Sequence, residues 1–399
     1  MFSRQVVPAP HNESLWAVAW VSFLLSASSL MVFSLFPTFL KDELHMTGSY
    51  IGQMEGLAIF LSFSVRLFSG IWSDHVHSRK PFIFAGALFS TLIKPAFALI
   101  TSPFMACSVR ILDRTSKGIR AAPFDALVSD LSPRENRGAA FGLRQSFKTL
   151  GVIVGGILAS LCMHFSSNNY RFTFLMAAIP AALSMILIFK IKQPPFKQEV
   201  PDGRKKEGWK LSEIKDLPKE YWQTLVFCLF LFGAYFSEFF ITLHLKETGI
   251  SLTWLPLLVV SINIIHAISA FPFGKISDRI SHGKMLIFGV FLLILVDLVF
   301  AFSSTLPMLF LGIFLIGMHM GVTRGLVRAT LSEHVPSHLR GTAYAVFYFL
   351  TGFSLWGANC TAGWFSDRYG SSGPFLAGAV FATIALCILV RNVRQAKIE

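Results

Sequence analysis

The sequence predicts an all-α integral membrane protein with twelve transmembrane helices in two pseudo-symmetric six-helix bundles. Three observations predict it. The 399 residues are 53% hydrophobic, include 41 Phe and have a mean hydropathy of +0.59; only 14% are charged, against about 25% in an ordinary soluble domain. Apolar runs of roughly 20 residues, enough to cross a bilayer as a helix, recur along the whole chain. The two halves repeat each other's motifs.

Spans are predicted at 15–40, 50–72, 82–101, 104–129, 139–163 and 171–191, and again at 221–245, 252–274, 285–304, 306–331, 341–363 and 373–390. The first run exceeds the about 7–15 residues of a signal-peptide core and reads as a retained span. Between 192 and 220 lies the long hydrophilic stretch, with Pro194, Pro195 and the run Arg204-Lys205-Lys206. It reads as a cytoplasmic linker between an N-terminal bundle, 1–191, and a C-terminal bundle, 221–399. Arg79, Lys80, Arg134, Arg137, Lys275, Arg279, Lys284 and Arg340 fall in even-numbered loops, whereas odd-numbered loops offer only Lys41, Arg171, Lys246 and Arg368. Both termini are therefore expected in the cytoplasm. The formal net charge of +13 is spread over these short loops, which excludes a nucleic-acid face. Cys107, Cys162, Cys228, Cys360 and Cys387 stand singly in apolar segments, so neither a disulfide framework nor a metal site is expected.

The repeat is explicit. Gly70-Ile-Trp-Ser-Asp74 recurs as Gly274-Lys-Ile-Ser-Asp278, and Asp130-Leu-Ser-Pro133 with Arg137-Gly138 recurs as Glu333-His-Val-Pro336 with Arg340-Gly341, both at an offset near 204 residues. A six-helix unit used twice is a transporter architecture whose site lies between the repeats.

Six basic residues sit inside spans: Arg110, Arg114, Lys117 and Arg120 in the fourth, Arg324 and Arg328 in the tenth. An ionised side chain at the bilayer centre costs roughly 2.5–3.5 kcal/mol even on the lenient insertion scale, so such residues face a partner, a watery cavity or an anion. At 3.6 residues per turn Arg110, Arg114, Lys117 and Asp125 share a stripe, flanked by Asp113 and Arg120. All six are candidates for binding an anionic substrate. The competing expectation is internal pairing: Asp113 is placed to meet Lys117 at i+4 or Arg110 at i−3, and Asp125 lies near the depth of Arg144 and Lys148. Glu238, mid-way along span seven, and Asp113 are the candidates for proton coupling. Lys94 and Asp297, at matching repeat positions with opposite charge, read as structural or lipid-adjacent, and Glu55 and Arg66 as groups at opposite mouths. His244, His266 and His319 read as hydrogen-bonded core residues. Span one has no ionisable residue but carries Ser22, Ser26, Ser28, Ser29, Ser34 and Thr38, which either back-bond to the helix or line a pore.

The segment Gly70 to Pro81 resembles the loop 2–3 signature of the major facilitator superfamily, G-x-x-x-D-x-x-G-R-K/R, with Ser78 where glycine is usual; Gly274 to Lys284 falls where that family's degenerate copy belongs. The resemblance covers the whole chain and implies the twelve-helix fold of that family, a bacterial inner membrane, alternating access, and a gating role for Asp74, Arg79 and Asp278. Span four resembles a bacterial branch with R-x-x-D-R-x-G-K-G-I-R-x-x-P-R-D-A-L, departing at Ser116 and Phe124, and Arg114 matches the family's cavity arginine. By the same resemblance spans one, four, seven and ten line the cavity. Gly151-Val152-Ile-Val-Gly155-Gly156 is similar to the antiporter signature, with Val152 for proline; its glycines permit close helix approach.

The expectation is a proton-coupled transporter of a small organic anion (a carboxylate, a siderophore-like polycarboxylate or a phosphate ester). It is expected to be a monomer in membrane lipid, without cofactor and without enzymatic activity. A drug or lipid exporter of the same superfamily is the alternative.

Overall fold

A computed structural model describes residues 13–76, 78–132, 137–193, 211–277, 280–302, 305–333, 335 and 339–395. Among the described residues the chain forms fifteen α-helices and no strand: α1 (Glu13–Phe33), α2 (Phe36–Asp42), α3 (Gly48–His75), α4 (Lys80–Ala98), α5 (Pro103–Asp130), α6 (Arg137–Phe165), α7 (Tyr170–Met176), α8 (Ala178–Lys190), α9 (Lys219–Gly233), α10 (Glu238–Glu247), α11 (Leu255–Ser277), α12 (His282–Phe302), α13 (Leu306–Glu333), α14 (Arg340–Tyr369) and α15 (Gly373–Gln395). Ten helical stretches are long and apolar enough to cross a membrane, the last running through both α14 and α15. The predicted fourth span, α5, is not one of them, because its intramembrane charges dilute its hydropathy.

Local chemistry sets several helix starts. Ser102 caps α5 by accepting from the Met105 amide at 3.3 Å, and Pro103 occupies the first turn, where a missing N–H costs nothing. Asn169 caps α7 in the same way. Three predicted spans are not continuous. The first divides between α1 and α2 just before Pro37, which cannot donate to the preceding turn. The sixth divides at Ala177, and the seventh opens over residues 234–237 between α9 and α10. The first and seventh occupy matching places in the repeat, and interrupted helices at corresponding positions of two halves mark a substrate site.

Helices α1, α4–α6 and α8 pack chiefly within a group that includes α3, and α9, α11–α13 and α15 within a group that includes α14. The two groups meet along α6 with α11 and, most extensively, along α3 with α14, each of which packs more on the other than on any helix of its own group. Glycine makes some of these approaches possible. A Cβ on Gly155 would lie 2.4 Å from the Ala27 carbonyl oxygen, and one on Gly151 2.2 Å from that of Phe23, so α6 lies against α1 backbone to backbone.

The groups are also tied at one end. Lys41 and Asp42 close α2, and Lys246 and Glu247 close α10. Lys41 pairs with Glu247, and Lys246 with Asp42, a reciprocal exchange between repeat-related dipeptides. Tyr170 donates to Asp42 at 2.6 Å. At the same end Asp367 of α14 accepts from the amides of Gly48 and Ser49 at the start of α3, at 2.6 and 2.8 Å. Exposed pairs of this kind contribute about 0–1 kcal/mol each, enough to bias a closed end without locking it.

Two outcomes follow. Gly155→Leu should lower the melting temperature in detergent and cost about 1–3 kcal/mol by overpacking α1 against α6; an unchanged melt would contradict the close contact. Lys41→Glu combined with Lys246→Glu should raise the rate at which an impermeant maleimide labels a Ser29→Cys reporter by about fivefold, with unchanged labelling showing that the paired end is no barrier.

Candidate functional site

A cavity of about 780 Å³ lies between the two helix groups, and its wall takes in residues from both interrupted helices, including Ser29 and Phe33 of α1 and Tyr235, Phe236, Ser237 and Glu238 at the α9–α10 break. The break is held open by specific bonds. Ser237 donates its amide to the Asn359 side chain at 2.9 Å, and its hydroxyl accepts from the Phe239 amide. Glu238 is thereby placed in the first turn of α10, facing the cavity.

Beneath the cavity wall lies a buried ion network. Glu55 of α3 is fully buried and accepts two bonds from Arg110, at 2.7 and 2.9 Å, and one from Arg114. Asp113, also fully buried, is met by Lys94 at 2.8 Å, Lys117 at 3.0 Å and Arg110 at 3.6 Å. More exposed, Asp125 pairs with two residues of the cavity wall itself, Arg66 at 2.8 Å and Arg144. Aromatic rings complete the solvation: the Arg110 guanidinium sits 5.4 Å from the Phe33 centroid and 4.9 Å from that of Phe239, and Lys94 lies 5.4 Å from Phe97. A buried pair is tolerated only when most of its remaining donors and acceptors are also met; here Asp113 Oδ2 and Arg114 Nε are buried without a hydrogen bond among the described residues, and Oδ2 has only the ion-pair contacts of Lys117 and Arg110.

The network nevertheless holds fewer acids than bases. Glu55, Asp113 and Asp125 together hold Lys94, Arg110, Lys117, Arg114, Arg66 and Arg144. Arg120 bonds only the Gly86 carbonyl oxygen, at 3.1 Å, and among the described residues neither Lys148 nor Arg324 has an acidic partner. All three line the cavity, as do Arg114 and Lys117. The acids on the wall are Glu238 and Asp297, and neither is paired among the described residues. The cavity is electropositive on the α5–α6 side and at Arg324.

The six cations singled out in the sequence therefore separate. Arg114, Lys117, Arg120 and Arg324 reach the cavity; Arg110 is 1% exposed, off the cavity wall, and anchors Glu55. Arg328 is on α13 and Asp74 on α3, but their side chains, like the whole of Asp278, lie outside the described residues. Arg79 is buried, donates to the Ser73 hydroxyl at 2.8 Å and lies 3.6 Å from Asp130. Glu55 is fully buried against Arg110 and Arg114, whereas Arg66 pairs with Asp125 and lines the cavity. Lys94 and Asp297 are not lipid-adjacent, being 1% and 2% exposed. The sequence held one clue: a bare Lys and a bare Glu within spans each require an opposite charge, and α5 carries charges of both signs. Of the hydroxyls of span one, Ser22, Ser34 and Thr38 donate back to their own helices, while Ser22, Ser26 and Ser29 also face the cavity. Among the described residues no three His, Cys, Asp or Glu come together to hold a metal ion.

An all-helical body, repeated hydrophobic spans and a cavity between two helix groups define a multi-pass membrane transporter. The family model of the Major Facilitator Superfamily matches residues 18–358, and the chain belongs to that family. It is 28% identical over 385 residues to an uncharacterized MFS-type transporter of Methanocaldococcus jannaschii, covering 95% of this chain and 94% of the relative. It is 24% identical over 399 aligned positions to the multi-drug resistance efflux pump PmrA of Streptococcus pneumoniae (93% and 92% covered), and 24% over 349 to the gentisate transporter of Corynebacterium glutamicum (82% and 75%). Its fold is similar to that of a bacterial homolog of the human lysosomal transporter Spinster in an inward-facing, unoccupied conformation. That match has a TM-score of 0.79 at 14% identity and covers 97% and 98% of the two chains.

Charge accounting separates two kinds of cation by experiment. Glu55→Gln should leave Arg110 and Arg114 buried without their carboxylate and cost about 3–5 kcal/mol in thermal unfolding. Arg324→Ala removes no partner and should shift stability by no more than about 0.5 kcal/mol; equal losses in the two variants would contradict the network.

Proposed function

We propose that this chain is an alternating-access secondary transporter that moves a small organic anion, such as a carboxylate, a siderophore-like polycarboxylate or a phosphate ester, with protons as the coupling ion. The observation that carries the reading is the set of cavity cations, Arg120, Lys148 and Arg324, that have no acidic partner among the described residues, beside the half-neutralised Arg114 and Lys117. An anion entering this space replaces its lost hydration with charge-assisted bonds, and guanidinium groups offer carboxylate and phosphate a paired geometry. The reading takes the fold as twelve spans, with α5 as the fourth and the broken helices as the first, sixth and seventh. It divides the chain into an N-terminal bundle, 1–191, a cytoplasmic linker, 192–220, and a C-terminal bundle, 221–399. It places the chain as a monomer in a bacterial inner membrane with both termini in the cytoplasm.

Glu238 is the first candidate for carrying the proton, since it is unpaired among the described residues, faces the cavity and sits at the break where α10 begins. Asp113 is the second: protonating it would release both Lys94 and Lys117. The reciprocal Lys41–Glu247 and Lys246–Asp42 pairs close one end, while Asp74, Arg79 and Asp278 are assigned to gating at the other. In the relatives a gentisate transporter stands beside a multi-drug efflux pump. The second reading, export of drugs or lipids, is favoured by the aromatic wall of Phe33, Phe63, Phe232, Phe236, Phe347 and Tyr348.

Uptake into proteoliposomes across a panel of carboxylates and phosphate esters, with and without a pH gradient, tests the choice. Arg324→Ala and Lys148→Ala should each lower anion uptake about tenfold or more, and Glu238→Gln should abolish the response to the gradient while exchange persists. Preferential movement of neutral or cationic amphiphiles, indifferent to both cation removals, would establish the exporter instead.

A further inference from the structure

The two halves of the protein treat their buried carboxylates differently. In the first half each lies within ion-pairing distance of cations that are also packed on aromatic rings: Glu55 with Arg110 against Phe33 and Phe239, and Asp113 with Lys94 against Phe97. In the second half Asp297 of α12 stands at the repeat position of Lys94. It is 2% exposed, its Oδ2 has no hydrogen-bond partner, and no basic side chain of the described residues pairs with it. It lines the cavity together with Phe236 and Phe375, whose ring centroids are 5.3 Å apart. The neighbouring polar groups satisfy each other: Tyr235 and His319 share a bond of 2.7 Å, and His319 is bonded to the Gly289 carbonyl oxygen at 2.7 Å. Gly378 lets α15 approach the carboxylate closely: a Cβ there would lie 2.7 Å from Oδ2 and 3.0 Å from the Phe236 ring. A buried carboxylate on the cavity wall beside aromatic rings, with no cation of the described residues in place, is the first-half arrangement with its cationic member missing.

We infer that Asp297, Phe236 and Phe375 form a subsite for an ammonium group of the cargo, so that the transported anion also carries an amine. This rests on the reading of the cavity as an anion site and narrows it: the carboxylate or phosphate end lies toward Lys148 and Arg324, and the ammonium end lies at Asp297, where carboxylate contact and ring faces together replace its water. A cargo that is purely cationic is disfavoured by the basic wall opposite, and one that is purely anionic leaves Asp297 unmet.

The test is competition binding to the purified full chain with two probe pairs that differ only in CH₂NH₃⁺ against CH₂CH₃: 4-(aminomethyl)benzoate with 4-ethylbenzoate, and 5-aminopentanoate with hexanoate. The wild type should prefer the amine-bearing member of at least one pair by about tenfold. Asp297→Asn should bring that ratio close to one, Gly378→Ala should lower it by crowding Oδ2, and Asp297→Glu should keep a preference, which shows that charge rather than loss of fold is being read. Equal binding of both members by the wild type overturns the ammonium subsite and leaves the anion reading standing. Binding of none of the four probes overturns both. A ratio that survives Asp297→Asn, with a changed response of uptake to a pH gradient, makes Asp297 a proton site and overturns the subsite.

Discussion

The interaction on which the rest depends is the buried bridge from Glu55 to Arg110 and Arg114. It joins α3 to α5 at a depth where an unpaired charge would not be tolerated. Through Arg110 the same bridge reaches Asp113, and Asp113 holds Lys94 of α4 and Lys117. Three helices are thus pinned by two carboxylates. Because the guanidinium of Arg110 also rests on Phe239 of α10, the network touches the second helix group where the two meet. What the network lacks defines the cavity: acids are too few to neutralise the bases, and the excess faces the space between the groups.

The moving parts fit that electrostatic frame. Of the three spans that break, the first, at residues 34–35, and the seventh, at 234–237, line the cavity or flank it, and the break in the seventh presents Glu238. The paired end near Lys41, Asp42, Lys246 and Glu247 is held by exposed ion pairs, which are weak. The proposed alternating-access cycle would need contacts of this strength at an end that opens; a buried bridge such as Glu55–Arg110 would hold one state too firmly to exchange.

Much of the fold was legible in the sequence, because apolar runs of membrane length and a repeat at a fixed offset are strong signals. Helix existence was easier to read than helix continuity: Pro37 marks one break, but nothing in Ala234-Tyr235-Phe236-Ser237 announces the other, which depends on the Asn359 side chain from α14. Within the site, the stripe on α5 was read correctly as a charged face, yet its division into cavity-facing and buried members was not. Arg110 and Arg114 are one turn apart and differ in fate because Glu55, on another helix, meets the first with two bonds and the second with one. Such a difference is set by packing between helices distant in sequence. For the same reason periodicity leaves Lys94 and Asp297 open between a structural and a lipid-adjacent place: it gives a face, and only the neighbours, Asp113 in the case of Lys94, say what that face meets.

The central claim is that uncompensated positive charge in the cavity selects the cargo. It is tested most directly by measuring the binding of benzoate and of its neutral isostere benzamide to the purified wild-type protein at a series of ionic strengths. The account predicts that benzoate binds, that benzamide binds at least about tenfold more weakly, and that only the benzoate affinity falls as salt rises. Equal affinities, or a benzoate affinity indifferent to salt, would contradict it.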